Sequence, residues 1–126
     1  MKKIFFTLMF VVTLTLAETC AAQDVWIEHW DSEGVDVYAM EETIDGRVVP
    51  DTAYKEFTVS TKIVKNGQLK EILKWKFTRF RTDMWRYETS NMDGRHTTVV
   101  IPRSPLFEFC MARLGWSYRT NGNYYH

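Results

Sequence analysis

Cysteine is the first scarcity in this chain of 126 residues, which has two, Cys20 and Cys110. Two cysteines cannot build the dense disulfide frame of many small exported domains. If Cys20 leaves with the leader described below, one remains and no internal bridge can form. Stability then has to come from a hydrophobic core. Proline and glycine are sparse as well, with three and six residues. The glycines are scattered at positions that read as turns, so no glycine-rich loop is present to cradle a phosphate.

Histidine is just as thin: His29, His96 and His126 lie far from one another in sequence. A metal site wants ligands at close, regular spacing. His29, with Glu28 and Asp31, would reach an ion only if the fold brought His96 alongside, so no metal or cofactor is implied. Nucleophilic catalysis needs Ser or Cys with a base and an orienting acid. No such set stands out, and no pair of carboxylates is singled out as an acid/base couple. An enzyme is therefore the weakest of the functional readings.

The chain also lacks net charge, with sixteen basic and sixteen acidic residues, but the charge is unevenly placed. Residues 23–60 hold two basic and ten acidic side chains, and residues 61–126 hold twelve and five. One reading has acidic and basic strands lying beside each other and offsetting. The other has a basic face of Lys70, Lys74, Lys76, Arg79, Arg81 and Arg86 that meets an anionic partner. Nothing marks that partner as nucleic acid.

What is present begins with a leader pattern. Lys2 and Lys3 precede an apolar run from Ile4 to Ala17, and Cys20-Ala21-Ala22 is a small-residue exit. The run falls short of the roughly twenty residues that span a bilayer as a helix. Cleavage after Ala22 is expected, with Gln23 first in a periplasmic or extracellular product. Cys20 resembles the acylated cysteine of bacterial lipoproteins in position alone, because Ala17-Glu18-Thr19 is not the usual small, apolar lead-in. The membrane would be a partner only if Cys20 were lipidated.

The body of the chain, residues 23–126, alternates. Phe57, Val59, Thr61 and Ile63 interleave with Glu56, Thr58, Ser60 and Lys62; Leu69, Leu73, Trp75 and Phe77 lie beyond Asn66-Gly67. Period-two alternation of this length predicts half-buried antiparallel strands. Apolar residues must face apolar residues. A two-residue Asn66-Gly67 loop would mix the faces, so a three-residue loop is expected, with Ile63 opposite Leu69, Val59 opposite Leu73 and Phe57 opposite Trp75.

Three more acid–glycine turns, ending at Gly34, Gly46 and Gly94, suggest a meander. The Gly34 turn would set Ile27 opposite Ala39 and Trp26 opposite Met40. The Gly46 turn would separate strand 35–42 from a short strand 47–50. The Gly94 turn would set Trp85 opposite Ile101 and Tyr87 opposite Val99, with Thr97, Val99 and Ile101 inward. Ser104 to Leu114 reads as the single helix: Ser104 caps it, Pro105 suits its first turn and Gly115 ends it. Phe107, Cys110, Met111 and Leu114 form one apolar stripe. Asn121 to His126 is expected to fray.

The expected architecture is a mainly β, α+β domain. It is one antiparallel meander of six to seven strands, a curved sheet or partial barrel, with one C-terminal helix packed on it. Aromatic residues are abundant, including five tryptophans. Trp26, Trp30 and Tyr38 suggest an exposed aromatic strip for a ligand or partner, with Arg79, Arg81 and Arg86 supplying charge. The leading functional expectation is a non-catalytic exported binding or interaction protein. A barrel-type carrier of small apolar ligands is the alternative. The partner is a protein or a small molecule, and a second copy of the chain, joined through aromatics or opposite charges, is one form it can take.

Overall fold

The computed structural model describes residues 24–81, 83–94 and 97–126; the expected leader, Cys20 and His96 lie outside them. Six strands form one antiparallel sheet in chain order: β1 (Asp24–Trp30), β2 (Val35–Val48), β3 (Tyr54–Lys65), β4 (Gln68–Phe80), β5 (Arg86–Thr89) and β6 (Thr98–Val99). A helix, α1 (Pro105–Leu114), and a small hairpin, β7 (Thr120–Asn121) and β8 (Tyr124–Tyr125), complete the chain. The sheet is not closed. The meander with one C-terminal helix is as the alternation and the capping pattern require.

The helix matches its expected bounds for the expected reasons. Ser104 Oγ accepts from the Phe107 N–H at 3.3 Å, Pro105 opens the first turn, and Gly115 closes the last at φ 71°. Leu106, Phe107, Cys110 and Met111 are buried against the inner face of the sheet. That face is the inward set of alternating residues: Val35, Val37 and Ala39 on β2, Phe57, Val59, Thr61 and Ile63 on β3, Leu73 and Phe77 on β4. Phe57 and Phe77 stack at 4.7 Å, and Phe107 lies 6.0 and 5.8 Å from them. Thr61 is the buried polar member, and its hydroxyl donates to the Leu73 carbonyl at 3.1 Å.

The registers differ from those expected, and β-bulges are the reason. Asn66 and Gly67 both have positive φ, 52° and 76°, and form a two-residue turn with Lys65 opposite Gln68. This is the primed hairpin geometry that suits strand twist. The ladder then shifts at Ile63/Val64, leaving Lys70 as the extra residue, so that Val59 meets Trp75 and Phe57 meets Phe77. One bulge changes the parity, which restores apolar to apolar. A three-residue loop reaches the same parity, but two residues out of step.

A second bulge lies in β1. Trp30 pairs with Val35 and Glu28 with Val37, but Trp26 pairs with Tyr38, so Ile27 is the extra residue. The connecting loop has four residues, closed by the Gly34 N–H to the Trp30 carbonyl at 2.8 Å. Ile44-Asp45-Gly46 makes no turn at all, and β2 runs through it. The β2–β3 ladder shifts between Met40 and Asp45. Thr43 Oγ1 bridges the gap, donating to the Met40 carbonyl at 2.6 Å and accepting from the Ser60 N–H at 2.8 Å. Gly46 is needed for space: a Cβ there would lie 2.7 Å from Leu114 Cδ2 and 3.0 Å from the Trp116 ring.

At the other edge, Tyr87 pairs with Thr98, and the Val100 N–H donates to the Trp85 carbonyl at 3.0 Å. Val100 is therefore the buried residue, and Ile101 is 64% exposed, one position out of step with expectation. The C-terminal segment is tied down rather than frayed. Arg119 and His126 exchange two backbone hydrogen bonds, and the Tyr125 carbonyl accepts from the Trp85 N–H. The buried Tyr125 ring lies 4.4 Å from that of Phe107. Its hydroxyl accepts from the N–H groups of Arg103 and Ser104 and donates to Glu108 Oε2 at 2.7 Å. A polar tip that satisfies two backbone donors makes burial of this tyrosine favourable.

Candidate ligand-binding cleft

Helix α1 covers only part of the inner face. Beyond its N-terminus, the sheet and the segment from Thr98 to Leu106 enclose a cleft of about 360 Å³. Trp75, Phe77 and Tyr87 line it from the sheet, Val99 to Pro102 and Leu106 from the crossing segment, and Trp30 and Glu28 from β1. Such a volume, mostly apolar with a few polar groups, fits a small-molecule site.

The aromatic lining is held in place by defined contacts. The Trp75 indole N–H donates to Thr61 Oγ1 at 2.9 Å, and Thr61 is itself anchored on the β4 backbone. Trp75 lies nearly parallel to Phe77 (7°, 6.0 Å), 5.3 Å from Tyr87, and 6.4 Å edge-on from Trp30. Such contacts limit the rotamers open to Trp75.

Glu28 is the unusual member. The alternation of β1 would put it on the same side as Trp26, but the bulge at Ile27 separates the two and leaves Glu28 and Trp30 lining the inner cleft. Burial raises the carboxyl pKa above the ordinary value, and a hydrogen bond from the Trp30 side chain partly offsets this. Among the described residues, no basic side chain forms an ion pair with Glu28, and the cleft's basic member, Arg103, is exposed.

The outer face contrasts with this. A hollow of about 350 Å³ there touches Glu56, Lys74, Lys76 and Glu88. Burial works against the Glu56 charge, but the Tyr54 hydroxyl, Lys76 at 3.5 Å and Arg47 at 2.9 Å together hold its pKa below the ordinary value. Lys62 likewise meets Asp24 at 2.6 Å, and Arg113 meets Glu41 at 2.9 Å. Acidic and basic segments thus offset one another across the strands.

The aromatic strip is split by the β1 bulge. Trp26 and Tyr38 are cross-strand partners on the outer face, in a row that continues through Lys62 to the half-exposed Ile72. Trp26 is anchored to Asp36 Oδ1 at 3.1 Å, and His29 Nδ1 lies 3.0 Å from the same oxygen. Trp30 is on the other side, in the cleft. The three arginines do not share a face. Arg79 donates to the Asp83 carbonyl, Arg81 lies in the β4–β5 turn over the Phe80 ring, and Arg86 is 4.0 Å from Asp83.

Cys110 is buried on the helix, and desolvation pushes its thiol pKa up to about 12, so the thiol is inert at neutral pH. Among the described residues, no three His, Cys, Asp or Glu side chains gather as metal ligands, and no helix is long and apolar enough to cross a membrane. The chain matches no family model, no curated protein and no solved structure. The site therefore has to be read from its own chemistry.

Sequence reasoning found Trp30 but not its neighbours. Trp75 and Tyr87 read as inward strand residues, and Glu28 was weighed only beside His29 and Asp31 as a conditional metal ligand. The one signal available was an acidic residue between Ile27 and Trp30 in a strand with two apolar faces.

Proposed function

We propose that this protein is a non-catalytic binding module that takes a small molecule in the inner-face cleft. The observation that carries the reading is the cleft itself: about 360 Å³ beside a well-packed core, walled by Trp30, Trp75 and Tyr87. An apolar ligand seated against these half-buried rings would remove their remaining apolar surface from water, which is favourable. The leader pattern of Met1 to Ala22 supports export to the periplasm or the exterior as its place of work.

The test is gentle native mass spectrometry of the protein recovered from cells that export it. A stoichiometric adduct that is lost on denaturation, and absent from Trp75→Ala, is the expected result. A bare chain in both forms, together with no change at either cleft tryptophan on screening small molecules, overturns the reading.

A second reading is favoured by the outer face, where Trp26 and Ile72 of that row and Leu69, paired with Val64 beside it, are 54, 51 and 55% exposed. That face suits self-association of two copies. Sedimentation at low and high salt tests it: an apolar dimer holds or tightens with salt, whereas a charge-driven one weakens. Ile72→Lys should abolish the apolar form.

A further inference from the structure

Resting on the cleft reading, we infer that the ligand is an organic cation, an ammonium or guanidinium group carried on an apolar body, with its charge against Glu28. The inference starts from the bulge at Ile27, which brings a carboxylate to an otherwise apolar wall beside Trp30. A bulge gives up a regular ladder step and re-aims a side chain, and such features concentrate near functional sites.

Three ligand classes can be compared at that wall. A neutral apolar ligand would strip water from an ionised carboxylate and leave it with little compensation beyond the Trp30 hydrogen bond, which is costly. An anion would add repulsion to the same loss. A cation replaces the lost hydration with a charge-assisted contact. The rest of the cleft agrees, because it is lined by the aromatic side chains of Trp30, Trp75 and Tyr87, and aromatic faces attract cations. Arg103 opposes the assignment, but it is exposed and so remains hydrated. The raised pKa of Glu28 has the same physical origin, a carboxylate partly withdrawn from water by burial.

The experiment uses three probes of matched shape: phenethylammonium, 2-phenylethanol and 3-phenylpropanoate. Each is titrated into the full domain while the indole N–H signals of Trp30 and Trp75 are followed by nuclear magnetic resonance. The cation should bind about tenfold more tightly than the alcohol, and the carboxylate more weakly than both. Glu28→Gln should bring the cation down to the affinity of the alcohol and leave the alcohol unchanged.

Wild-type protein supplies the same contrast without a variant. Between about pH 7 and pH 4 the cation should weaken as Glu28 takes up its proton and the alcohol should not; the other charged or titratable groups lining the cleft are Arg103 and Tyr87. Equal binding of cation and alcohol, indifferent to Glu28→Gln, overturns the cation assignment and leaves the cleft standing. Preference for the carboxylate, lost in Arg103→Gln, overturns it in favour of an anion. Failure of all three probes to move either indole in the folded protein removes the cleft reading as well.

Discussion

The two ends of the inner face have similar residues and opposite fates. Under the helix, Phe57, Phe77, Trp85, Phe107 and Tyr125 are buried to the point of exclusion, with ring centroids 4.4 to 6.0 Å apart for the pairs that meet. At the other end, Trp30, Trp75 and Tyr87 are half-buried and line a cleft. A ten-residue helix is about 15 Å long, shorter than the strands it crosses, so it seals one end and leaves the other. Aromatic content alone therefore does not tell a core from a site. Coverage does.

The strongest way to break that comparison is truncation at its two ends. Phe107→Ala removes a fully buried ring touching five aromatic neighbours and should cost about 3–5 kcal/mol in denaturant unfolding. Trp30→Ala, at the open end, should cost about 1 kcal/mol. Equal costs would mean that the cleft is core after all.

Tyr125→Phe probes the seal itself. It removes one hydroxyl from two backbone N–H groups and Glu108, and should cost about 1–3 kcal/mol. Burial, and then the hydrogen bond to Glu108, raise the phenol pKa above its ordinary value. The associated stability is fully present below about pH 10 and is lost as pH rises through the folded value. Wild type should therefore loosen at alkaline pH more steeply than Tyr125→Phe in a pH-resolved unfolding series.

Gly46→Ala tests the other edge of the helix, where a new Cβ would crowd Leu114 and Trp116. Because the nearest atom is a movable leucine methyl, the cost should be about 1 kcal/mol, read as a lowered melting temperature.

The smallest expected effect sharpens the open end. Raised acid pKa means that the folded state holds its proton more tightly, so ionisation of Glu28 costs stability as pH rises above 4.5. Glu28→Gln should gain at most about 0.5 kcal/mol at neutral pH, and the gain should vanish below that pH. A loss of stability instead would make Glu28 a structural partner of Trp30.

Much of this was legible along the chain. The strands announced themselves through Phe57, Val59, Thr61 and Ile63, and the helix through Ser104, Pro105 and Gly115, because alternation and capping are local rules. Tyr125 was not legible, since its hydroxyl is satisfied by backbone donors more than twenty residues earlier in the chain. Gly46 was misleading: it looks like a turn and is a point of close approach between strand and helix end.

What the sequence by itself determined is the class of fold, the direction of each inward residue over most strands, and the burial of Cys110. These follow from the periods of strand and helix, which any one element carries alone. What only the tertiary structure decided is the site. An extra residue at Ile27 is invisible until two strands are paired, yet it separates Trp30 from Trp26 and brings Glu28 to the cleft. A side chain's face depends on the count of residues on both strands, and that count is a property of the pairing.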